Sequence, residues 1–170
     1  MKVTSLFLAL LCIFGLTACS SGADTSGPAE TEIIGIEDTL AAENFEFSIL
    51  SATTADTLTN ALGVEYAAEE GNELLFIVFN AKNTSSDTQN AMNTNFNGAV
   101  DGVKVNPLGA VGEINGYMPL IGAVSSGTEM HGYAMWEVPS DWSQLEFSYI
   151  DALTGSESDS FTIYADDLTA

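Results

Sequence analysis

The 170-residue sequence predicts an all-β fold, a sandwich of about seven strands. Three observations carry that prediction. First, six consecutive apolar residues, LLFIVF at 74–79, lie between a turn at Glu70-Gly71-Asn72 and a polar stop at 83–87. That length suits a buried strand and is too short for a free-standing helix. Phe76, Ile77, Val78 and Phe79 are β-branched or aromatic, as strands prefer. Second, residues 45–51 alternate, with Phe45, Phe47 and Ile49 on one face and Glu46 and Ser48 on the other. Third, turn signals recur between the apolar stretches, and no segment carries a convincing helical period.

In chain order, the first segment is a targeting signal. Met1-Lys2 is a short positive front, and LFLALLCIFGL at 6–16 is an apolar run. A membrane span needs about 20 apolar residues, so a run of this length reads as a secretory signal. Leu16-Thr17-Ala18-Cys19 resembles the lipobox of bacterial lipoproteins. The resemblance implies cleavage before Cys19, residues 1–18 being the signal peptide, and attachment of diacylglycerol to the Cys19 thiol. Cys12 then leaves with the signal, so no intrachain disulfide can form. Residues 19–32, beginning with the lipidated cysteine, are small, polar and acidic, the composition of a flexible tether.

The folded part spans 33–170. A short apolar entry at 33–40 breaks at Gly35, and the alternating strand at 45–51 follows. Residues 53–71 hold Leu58, Leu62, Val64 and Tyr66 among Thr, Ala and Glu, a pattern that fits a hairpin or a loop with one helical turn. In the central run, Leu75, Ile77, Phe79 and Ala81 form an unbroken apolar face assigned to the core. Residues 85–95 read as a polar loop. Asp101-Gly102 tolerates positive φ and predicts a tight hairpin turn. Five glycines and Pro119 make 107–127 mostly loop, with a short strand near 117–123. A clear strand at 129–138 points Met130, Ala134, Trp136 and Val138 one way, and Glu129, His131, Tyr133 and Glu137 the other. Strands at 144–150 and 160–165 complete the set.

These elements together resemble a family of bacterial extracellular lipoprotein domains, telokin-like with an immunoglobulin-like fold, related to secreted immunoprotective antigens. The likeness covers about 34–165. It rests on the entry at 35–40, the strand at 45–52, GNELLFIVFNAKNTS at 71–85 and the Gly127…Gly132…Val138-Pro139 element. The resemblance implies an immunoglobulin-like sandwich and export, and it implies no catalytic residues.

Charge narrows the function. There are 24 Asp and Glu against three lysines and no arginine, a formal net charge of −21. Lys2 lies in the signal segment, leaving two lysines in the remainder. Such a surface repels nucleic acid and anionic headgroups. His131 is the only histidine and no nucleophile-elbow pattern is present, which argues against a small envelope hydrolase. One histidine and one acylated cysteine do not supply a zinc site. Divalent ions are electrostatically allowed, and calcium is the best small-ligand candidate, through Glu69-Glu70-Asn72-Glu73, Glu157-Asp159 or Asp166-Asp167, though none matches a calcium-loop motif and solvated acidic faces are the preferred reading. No catalytic, metal or cofactor residue is assigned.

The sequence therefore predicts a non-enzymatic lipoprotein held at the outer face of a bacterial membrane. Its acidic domain would bind an unidentified protein or envelope component and no nucleic acid; the alternative is a calcium-dependent binding module. Leu74, Phe76 and Val78 pose a question, because a two-layer sandwich leaves their face without a partner. Either 53–71 covers it, the preferred reading, or it is an exposed binding patch. The candidate surface is accordingly Leu74, Phe76, Val78, Tyr133 and Trp142, with Trp142 expected to be exposed at a strand connection.

Overall fold

The computed structural model describes residues 39–168. The signal segment, Cys19, the tether and most of the apolar entry lie outside them. Among the described residues there are twelve strands: β1 (Thr39–Ala41), β2 (Phe45–Ala55), β3 (Thr57–Thr59), β4 (Glu65–Ala67), β5 (Asn72–Asn83), β6 (Gln89–Met92), β7 (Phe96–Val100), β8 (Val103–Val105), β9 (Ile121–Val124), β10 (Glu129–Pro139), β11 (Gln144–Tyr149) and β12 (Phe161–Tyr164). The predicted all-β sandwich is what the chain forms. One sheet has the order β1-β2-β5-β10 and the other β12-β11-β7-β8, and every pairing within them is antiparallel. The excess over seven strands comes from short pieces, including two small ribbons, β3-β4 and β6-β9.

The main core lies between the two four-stranded sheets. Leu75, Ile77, Phe79 and Ala81 of β5 point into it, with Phe45, Phe47 and Ile49 of β2 and Ala134, Trp136 and Val138 of β10, as their alternation requires. The opposite sheet supplies Phe96, Phe147, Tyr149 and Phe161. Aromatic rings knit the sheets together: Phe79 stacks on Phe96 at 4.7 Å, and Phe47 meets Tyr149 at 4.5 Å. A register shift between Ile49 and Ser51 turns β2, and Leu50 is left 46% exposed there. The hairpin at Asp101-Gly102 forms as predicted, with φ of 47° and 80°, the positive values that a two-residue turn of this hand needs.

β5 is the central strand, paired on one edge with β2 and on the other with β10. Its second face does not look into solvent. Leu74, Phe76 and Val78 pack with Tyr133 and Met135 of β10 in a second, smaller core, and Phe76 and Tyr133 rings lie 4.8 Å apart. The cover has two parts. Leu58, Tyr66 and Ala68 reach it from the β3-β4 hairpin region, so the preferred reading of 53–71 is half of the answer. The other half is the segment 107–120, expected to be mostly loop, which contributes Leu108, Ala110, Ile114 and Tyr117. That segment is stitched along the free edge of β10. Leu108 N–H donates to Met135 O at 2.6 Å, Leu120 N–H to Tyr133 O at 2.8 Å, and Tyr133 N–H to Met118 O at 3.0 Å. Gly132 makes the crossing possible, because an ideal Cβ there would stand 2.6 Å from Leu120 Cα.

Candidate binding face

The five residues expected to form a binding surface are all buried. Leu74, Phe76, Val78 and Tyr133 are at most 3% exposed and Trp142 is 5% exposed. This corrects the exposed-patch reading. The first four are closed off by the hairpin and the crossing segment. Trp142 folds back beneath its strand connection, where its Nε1–H donates to Glu73 Oε1 at 2.6 Å. Trp142 lines two clefts, one with Tyr164 and the other with Thr54 and Ser140. His131 is exposed on β10, opposite Asn80.

What the chain presents over the second core is the outside of its cover. The tip of the β3-β4 hairpin, residues 60–64, meets the crossing segment at 111–113, and one buried side chain joins them. Asn60 Nδ2 donates to Val111 O at 2.7 Å, while Asn60 Oδ1 accepts N–H from both Leu62 and Val64 at 2.9 Å. Asparagine suits this position because a single amide can both donate and accept. Further ties follow. Ala61 N–H donates to Glu113 O at 2.7 Å. Val111 N–H donates to the Tyr66 hydroxyl, which donates in turn to Val111 O. Tyr133 O–H donates to Gly112 O at 2.9 Å, and burial, with Tyr66 beside it, pushes its hydroxyl pKa up to about 12. It therefore remains a donor throughout the physiological range.

The result is a firmly held cap with apolar side chains on its outer side. Leu62 is 77% exposed, Val111 59% and Val64 44%. The backbones of all three residues are hydrogen-bonded to Asn60, which brings the three positions to one part of the surface. Glu113 in the crossing segment and Glu65 directly after the hairpin tip are exposed, and Asp56 and Glu69 are exposed at the base of the hairpin. Sequence reading missed Asn60 and Val111. The available signal was Ala61-Leu62-Gly63-Val64, an apolar turn where turns are ordinarily polar.

Elsewhere the carboxylates find neutral donors. Glu157 lies in an open depression with Lys104; hydrogen bonds from Ser148 and Asn97 hold it below the usual carboxylate range. Glu137 is held down by Asn72 and by the Glu69 N–H. Burial pushes Asp151 up, but donors on Asn44, Leu153 and Thr154 outweigh it. Among the described residues no group of three or more His, Cys, Asp or Glu side chains converges to hold a metal ion, so the acidic runs named for calcium are not drawn into such a cluster.

The two antiparallel sheets define an all-β sandwich. No family model matches the chain, and no curated protein matches it. Among the solved structures that resemble it are two from Bacillus subtilis. One is ycdA of Bacillus subtilis, described as a "putative lipoprotein", with a TM-score of 0.62 and 17% identity over 77% of this chain. This chain spans only 39% of ycdA's length. A second is the yjhA protein of Bacillus subtilis, with a TM-score of 0.56 and 17% identity, covering 73% of this chain and 86% of that one. At these identities the likeness speaks to fold. No helix among the described residues is long and apolar enough to cross a membrane.

Proposed function

We propose that the chain is a lipid-anchored protein of the bacterial envelope. Its acidic, immunoglobulin-like sandwich binds a protein or envelope component and catalyses nothing. The anchor reading is supported by Cys19 behind Leu16-Thr17-Ala18, and by the fold shared with a protein described as a lipoprotein. The observation that carries the binding reading is the cap: exposed apolar side chains are held in place by buried polar ties over a core of their own. Large apolar side chains exposed close together on a well-packed domain favour an interaction site.

The anchor is tested by expressing the full-length chain and its Cys19→Ser variant in a bacterial host fed radiolabelled palmitate. Label in the membrane-bound wild type, and its loss with release or failed processing in the variant, is the expected pattern. Equal labelling of both, or no label in either, overturns the anchor.

A further inference from the structure

We infer that the cap around Asn60 is the contact surface for a basic polypeptide segment carrying apolar side chains. The inference rests on the reading of the chain as a binding protein and specifies its partner. The centre of the face is apolar, formed by Leu62, Val64 and Val111, and its surroundings are polar, the arrangement of protein–protein contacts. The surface is already ordered. Asn60, Tyr66 and Tyr133 fix both segments from beneath, so little conformational freedom remains to be lost on association.

Charge decides the partner. No lysine, arginine or histidine occurs in residues 56–81 or 105–130, the stretches that contain the hairpin and the crossing segment. Both described lysines are engaged elsewhere: Lys82 lies 4.0 Å from Glu46, and Lys104 favours ionisation of Glu157. The charged side chains of the cap are therefore of one sign: Glu65 beside the hairpin tip and Glu113 in the crossing segment, both exposed, with Asp56 and Glu69 at the base of the same hairpin. A segment of opposite charge gains steering and complementarity. A second copy would instead bring carboxylates against carboxylates, and an anionic bilayer would be repelled.

The test uses the full-length protein, ¹⁵N-labelled, in a neutral detergent. The probes are three synthetic 12-residue peptides: a lysine–leucine peptide, a lysine–serine peptide and a glutamate–leucine peptide. The expected result is binding of the lysine–leucine peptide, with amide shifts concentrated at 60–66 and 110–114. Binding should weaken at least tenfold in Leu62→Ser/Val111→Ser, in added salt and with the serine peptide, and be absent for the glutamate peptide. Both substituted side chains are exposed, and an unchanged circular dichroism melt confirms that the variant folds. Each of these results overturns the inference: no binding of the lysine–leucine peptide; equal affinity for the serine peptide; unchanged affinity of the double variant; or shifts centred on Met92 and Ile121. Concentration-dependent self-association that the double variant abolishes overturns it in favour of a second copy. The Cys19 experiment reads the anchor separately, so either claim can fail while the other stands.

Discussion

Replacing Gly132 by alanine should open the cover while leaving the sandwich folded. The added Cβ would stand 2.6 Å from Leu120 Cα, 2.9 Å from Leu120 N and 3.1 Å from Leu120 Cβ. Two of those three atoms are backbone, so no rotamer change relieves the clash, and the crossing segment must retreat by roughly 1 Å to reach ordinary contact. Overpacking of this kind costs about 1–3 kcal/mol. The same retreat stretches the flanking hydrogen bonds, Leu120 N–H to Tyr133 O and Tyr133 N–H to Met118 O, at about 1 kcal/mol each. Alanine returns about 0.5–1 kcal/mol through its better strand propensity. The net expectation is a loss of about 3 kcal/mol, a large share of a stability of about 5–15 kcal/mol. Urea unfolding followed by tryptophan fluorescence measures it. Gly109→Ala is the control, since a Cβ at that glycine meets nothing within 4 Å. Amide exchange should quicken at 108–120 before it quickens in β5. If Gly132→Ala unfolds within 0.5 kcal/mol of Gly109→Ala, close approach does not hold the crossing segment and the account of the cover is wrong.

Asn60→Ala should cost about 1–3 kcal/mol by removing the acceptor of Leu62 N–H and Val64 N–H and one of the two donors to Val111 O, with faster amide exchange confined to 60–66 and 110–114; uniform acceleration across the domain would refute the latch. Trp142→Phe should cost about 1.5–3 kcal/mol, because the indole N–H donates to a carboxylate, and a neutral effect in urea unfolding would show that the Glu73 contact contributes nothing. Stability should fall in acid. Asp151, Glu137 and Glu157 have folded-state values below their ordinary ones, so their contribution is present above the ordinary carboxylate range and is lost as pH falls through the lower folded values. A melting temperature that stays level or rises from pH 5 to pH 3 would show that these hydrogen-bonded carboxylates do not stabilise the fold.

The elements that a single sequence displays are those whose environment repeats along the strand. β5 could be assigned because its faces are marked residue by residue, and its core face was read as it stands. β10 could be split for the same reason, but Tyr133 was placed with Glu129, His131 and Glu137, among which a phenol looks surface-bound. What buries Tyr133 is Leu108 to Leu120, more than a dozen residues away in sequence and joined to β10 through backbone groups that leave no mark on side-chain pattern. Gly132 was visible as a glycine in a strand, a usual sign of close backbone approach, yet nothing indicated which backbone approaches. The β6 strand was hidden because Gln89-Asn90 carries loop chemistry while pairing with β9. Trp142 looked exposed because it sits beside Pro139 and Asp141, and its burial depends on Glu73 across the fold. The candidate face was the least legible part, since Leu62, Val64 and Val111 become one surface only through Asn60.

The habit of satisfying carboxylates with neutral donors has a consequence for association. Asn44, Asn72, Asn97, Ser148 and Trp142 occupy acid groups without neutralising them, and the closest ion pair described, Lys82 with Glu46, is half exposed at 4.0 Å. A cationic partner therefore displaces almost no internal counter-charge. In most proteins a new ionic contact is an exchange, one cation leaving as another arrives; here it is an addition. Discrimination then falls to the apolar centre of the cap, because the charge alone welcomes any cation that diffuses near.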